Sequence, residues 1–109
     1  MGEFEEREHA YEAKFAHDQE LMFKARVRRD ALAARWAVSK LGLTGAEADA
    51  YVQAIIALAV QKDHDQKLIR KLLADFEAAK VPMSEHRLRK HMLEFLEDAV
   101  SQVQSEVKG

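Results

Sequence analysis

Apolar side chains recur at three- and four-residue intervals through most of this 109-residue chain. That is the period of one face of an α-helix, not the two-residue alternation of a strand. One set comprises Tyr51, Val52, Ile55, Ile56, Ala59 and Val60, a second Leu68, Ile69, Leu72, Leu73 and Phe76, and a third Leu88, Met92, Phe95, Leu96, Ala99 and Val103. Each draws a stripe broad enough to bury, which predicts three core-facing helices. Their starts are marked. Thr44 with Glu47 three residues on forms a capping-box pattern, placing one helix over residues 45–61. DHDQ at residues 63–66 reads as a turn carrying caps for the next, which ends before Pro82. In KVPMSEH the residue before proline is pushed out of helical geometry, Ser84 is placed as an N-cap, and Glu85 suits the positive end of the dipole of a helix over residues 85–105.

The first 41 residues follow a different pattern. A helical period runs over residues 3–41 without glycine or proline and meets Gly42, suited to the left-handed residue past a helix end. At ~1.5 Å per residue such a helix extends roughly 58 Å, long for a chain of this size. Its second half supplies Met22, Leu32, Trp36 and Leu41 to a core, the tryptophan being read as a core residue. Its first half, FEEREHAYEAKFAHDQEL (residues 4–21), offers only Phe4, Tyr11 and Phe15 as large apolar groups before its last residue. Tyr11 and Phe15 form an i, i+4 pair in charged surroundings. An isolated helix of that length is marginal in water.

The expected fold is therefore all-α: a four-helix bundle with a long N-terminal helix whose first part is weakly packed or mobile. Residues 1–20 form a partner-binding segment and residues 21–109 the body. A thin aromatic seam among charges suits a helix that docks on another protein.

Composition agrees with helix and narrows the chemistry. The chain is 48% hydrophobic and 33% charged, with one proline and four glycines, favourable for helices and short connections. Cysteine is absent, which removes disulfides and thiolate chemistry. No apolar run reaches the ~18 residues of a membrane span, and the acidic start is unlike a signal peptide. The expectation is a cytoplasmic protein without direct membrane insertion. The net charge of −2 hides an asymmetry: residues 1–20 carry seven acids and two bases, whereas residues 21–40 carry six bases and one acid, Asp30.

Lys24 and Arg28 share a helix face at i, i+4 spacing, and Arg29 and Arg35 follow. These four are candidates for docking phosphate or an acidic partner. A nucleic-acid footprint that added Arg26 would have to work against a pI near 6.2 and the acidic block on the same helix, so a solvated face outweighs it. His9 and His17, like His86 and His91, lack the i, i+4 spacing of a helical metal pair, and no H-E-x-x-H occurs. They read as exposed helix positions. No glycine-rich phosphate loop, G-x-S-x-G or nucleophile with its base is present, and the chain is read as a non-enzyme.

The order F-x-x-R-E-x-x-x-E-x-K-F-x-x-D, then FKARVRR at residues 23–29, Trp36-Ala37 and KLGLTGAEADAY at residues 40–51, resembles the zeta-type inhibitor subunit of alphaproteobacterial F-type ATP synthases. SEHRLRKHMLEFLEDA at residues 84–99 is similar to that family's last helix. The resemblance implies a four-helix protein that blocks ATP hydrolysis by placing its N-terminal helix at an alpha/beta interface of the catalytic head, near gamma. The matching positions are Phe4, Arg7, Glu8, Glu12, Lys14, Phe15 and Asp18; Tyr11 joins them from the pattern above. It also implies a place peripheral to the inner membrane, no required cofactor, and ATP or ADP as ligands of the free protein. Protonation of His9 or His17 is a further, weaker expectation for tuning binding. Two other readings stay open from the residues alone: a nucleotide-sensing regulatory helical domain and a nucleic-acid-binding helical module.

Overall fold

A computed structural model describes residues 19–108. The expected seam at Phe4, Tyr11 and Phe15 lies outside them, as does the expected first part of the long helix. The described chain is all-α, with no strand among the described residues. Its elements are α1 (Gln19–Leu41), α2 (Gly45–Ala57), a 3-10 turn (Leu58–Val60), α3 (His64–Ala78) and α4 (Glu85–Lys108).

The connections follow the predicted punctuation, with three departures. Gly42 takes φ 74°, and the Leu43 N–H donates back to the Val38 carbonyl at 3.1 Å, closing α1 as a left-handed cap. Ser84 Oγ accepts the Arg87 N–H at 3.1 Å, the expected N-cap of α4, which runs three residues beyond the predicted end. Thr44 does stand at the N-cap of α2, in extended geometry, but its hydroxyl makes no capping hydrogen bond. Asp63 likewise precedes α3 without a side-chain cap, in the left-handed region at φ 57°. The third departure is the 3-10 turn, which tightens the chain after Ala57 and turns Val60 outward, leaving it 75% exposed where a buried position was expected.

Packing is organised by α1, which α4 meets along much of its length and α2 meets near its end. Met22 at one end of α1 clusters with Val103 near the end of α4, and Ala37 at the other with Leu88 near its start, so the two helices run antiparallel. The inner face of α1 is mostly alanine: Ala25, Ala33, Ala34 and Ala37 are buried. Small side chains there admit the Leu, Met and Phe side chains of its neighbours at close range. The larger residues expected in that core, Leu32, Trp36 and Leu41, are only partly buried.

Two hydrophobic clusters result among the described residues. The larger joins Ala33, Ala34 and Ala37 to Ile55, to Leu68, Ile69, Leu72 and Phe76, and to Leu88, Met92 and Leu93. The smaller joins Met22 and Ala25 to Leu96, Val100 and Val103. Full burial of each Leu, Ile, Val or Phe contributes about 1.5–3 kcal/mol. Among the described residues no helix is long and apolar enough to cross a membrane.

Candidate functional site

The candidate basic face of α1 divides once its side chains are followed. Lys24 is 59% exposed, with its Nζ 3.9 Å from Glu20, a loose i, i+4 contact that contributes little in water. Arg35 is exposed. Arg28 is half-buried and committed to α4: one guanidinium nitrogen lies 2.6 Å from Glu106 Oε2 and another donates to Gln102 Oε1 at 2.9 Å.

Arg29 departs from the expectation altogether. It is fully buried, and its guanidinium is held inside the protein rather than offered to a ligand. The helical period explains why. Met22, Ala25, Arg29, Ala33 and Ala37 are spaced three and four apart and are all buried; Arg29 occupies the centre of the inward stripe.

Around Arg29 lies an ionic cluster that sequence reading did not anticipate. Its Nε donates to Asp30 Oδ1 at 3.0 Å, and its Nη2 lies 2.9 Å from the same oxygen. The same Nη2 donates to Asp65 Oδ1 in the first turn of α3. His64 Nε2 lies 3.2 Å from that Asp65 oxygen but is not aligned for a hydrogen bond. The left-handed turn at Asp63 is what starts α3 beside the cluster. Asp30 is 1% exposed, and burial drives its carboxyl above the usual range, partly offset by the Arg29 charge and hydrogen bond. Position was the readable signal: Arg29 sits in the buried stripe, and a buried guanidinium needs carboxylates.

Two further groups tie the body together. Tyr51 Oη of α2 donates to Asp75 Oδ2 of α3 at 2.7 Å, and Lys71 Nζ reaches the same oxygen at 3.2 Å while lying 5.2 Å over the Tyr51 ring. Burial raises the phenol's pKa, and the Asp75 hydrogen bond and charge raise it further. Trp36 is ringed by aromatic neighbours: edge-on to Phe76 at 5.4 Å, tilted on His91 at 4.7 Å and near Phe95 at 5.6 Å. His91, expected as an exposed position, is therefore half-buried against the tryptophan, whereas His86 is exposed as expected.

Shallow clefts open on the surface among the described residues. One, of about 370 Å³, is lined by Phe23, Lys24, Val27, Arg28, Ala31 and Glu106, with Phe23 44% exposed at its edge. Another, of about 520 Å³, sits at the α3–α4 corner beside Leu73, Val81 and Met83. Among the described residues no group of three His, Asp or Glu side chains is arranged to hold a metal ion. Phe4, Arg7, Glu8, Tyr11, Glu12, Lys14, Phe15 and Asp18 lie outside the described residues. The structure thus brings Lys24 and Arg28 to one cleft, leaves Arg35 at the surface and withdraws Arg29.

Comparison with protein families places the description "ATPase inhibitor subunit zeta" on residues 1–102. Comparison with curated proteins and with solved structures returns no match.

Proposed function

Because the chain belongs to the ATPase inhibitor subunit zeta family, whose match covers residues 1–102, we propose that it blocks ATP hydrolysis by inserting residues 1–20 as a helix into an alpha/beta interface of the F-type catalytic head, near gamma. The extent of the family match carries this reading, since it includes the charged N-terminal stretch as well as the body.

A rotary ATPase must open and close its catalytic interfaces in sequence, and a helix bound in one of them selects a single state through its binding energy. Phe4, Tyr11 and Phe15 are the apolar anchors, and Arg7, Glu8, Glu12, Lys14 and Asp18 set register and direction. The body, closed by two hydrophobic clusters, limits how far the helix enters. Lys24 and Arg35 are cations on α1 for an acidic or phosphate-bearing neighbour, and Arg28 joins them only by leaving Glu106.

ATP hydrolysis by a purified catalytic head, with the full chain and with the full-length variant carrying Tyr11→Ala and Phe15→Ala, tests the reading. The native chain inhibits. The double variant keeps the helical circular dichroism and melting point of the native chain and needs at least tenfold higher concentration for half-inhibition. Equal potency of a folded double variant overturns the anchor assignment, and no inhibition by the native chain overturns the function.

A further inference from the structure

The buried ionic cluster has chemistry that inhibition does not use. Asp30 Oδ1 takes two contacts from Arg29, whereas Asp30 Oδ2 is buried with no hydrogen-bond partner among the described residues. On the α3 side, His64 Nε2 is also buried and without a hydrogen bond. A buried carboxylate oxygen without a hydrogen bond is costly when charged, and a proton removes that charge. The charged groups that face Asp30 are Arg29 from α1 and Asp65 and His64 from α3. Arg29 has a second carboxylate, Asp65, on the other helix. Protonation of Asp30 therefore does not strand the guanidinium; it leaves Asp65 as its charged partner and directs the attraction across the helix pair.

We propose that Asp30 is the proton-taking centre of a buried fastener between the middle of α1 and the first turn of α3, tightened by acidification and loosened as pH rises. The sign follows from burial. A carboxyl whose folded value lies above its unfolded value binds its proton more readily in the folded chain, so its contribution to stability grows as pH falls through the folded value and is complete below the unfolded one. The ordinary value is 3.8, and burial raises Asp30 from it, which sets the window between the two.

The test is a pH titration of the full chain by carboxyl carbon NMR, paired with urea unfolding at a series of pH values. The Asp30 carboxyl titrates with a midpoint above the ordinary aspartate value. Asp65→Asn lowers that midpoint, because it removes a negative charge across the helix pair and leaves Arg29 more fully to Asp30. Inside the window the native unfolding constant falls on acidification by up to about tenfold per pH unit more than that of Asp30→Asn, the limit for one proton. A native midpoint at or below the ordinary value overturns the proposal, and so does a midpoint that Asp65→Asn leaves unmoved. Parallel stability profiles for native and Asp30→Asn chains overturn it as well. If Asp30→Asn fails to fold, the native and Asp65→Asn midpoints decide.

Discussion

Arg29 shows how one side chain can reverse the reading of a charge pattern. The basic block of residues 21–40 looks like a surface feature when charges are summed along the chain. In the folded protein its central arginine is interior, and Arg28 beside it is bonded to Glu106. Exposed positive charge on this helix is accordingly smaller than the sequence total. Arg29→Met keeps most of the stem and removes the guanidinium, leaving Asp30 buried beside no arginine; the expected loss is about 3–5 kcal/mol, seen as a lower urea midpoint at unchanged slope. Tyr51→Phe removes one hydrogen bond to a half-buried carboxylate and is expected to cost about 0.5–1.5 kcal/mol by the same measurement. Neither partnership was legible beforehand. Asp65 and Arg29 are 36 residues apart, and a pairing over that distance depends on how α3 is laid against α1, which no local spacing encodes.

At the scale of elements, local signals served well where the backbone itself is constrained. Proline at position 82 and serine at 84 fix the break and the cap of α4, and glycine at 42 fixes the end of α1, because each acts through φ, ψ or a nearby N–H. Thr44 and Asp63 had the right composition and the right place yet make no capping bond. Ser84→Ala is therefore expected to cost about 1 kcal/mol and Thr44→Ala distinctly less, a contrast that thermal melting of the two variants measures. The end of α3 offers the opposite lever. There Lys80 stands at φ 59°, while the Val81 N–H reaches back to the Phe76 carbonyl at 2.8 Å. Glycine fits this left-handed position without the penalty of a Cβ, and Lys80→Gly is expected to stabilise the protein by about 0.5–1 kcal/mol after its own chain entropy is counted. The stripe of α1 was legible in period and only partly in content: Met22 is buried as expected, but Leu32, Trp36 and Leu41 are only partly buried, and most of the buried positions are alanines, with Arg29 and Asp30 among them. Alanine carries little hydrophobic signal, and only the packing partners reveal that it faces them.

Across the described residues, the two hydrophobic clusters divide the α1–α4 pair into a braced half and a half that holds these two helices. The first is surrounded by α2 and α3, and the second is held by Met22, Ala25, Leu96, Val100 and Val103 with the Arg28 contacts to α4. That second half lies at the end of α1 from which residues 1–18 continue. Family membership was legible in the motifs of residues 4–51 and 84–99, and the family match spans residues 1–102, whereas the arrangement of the body emerged only when its helices were packed. The single tryptophan of the chain sits in the braced half, touching rings from α3 and α4. Its indole is consequently a native optical gauge: emission from one site reports whether three helices still meet, so unfolding and variant comparison can both be followed in an unlabelled chain.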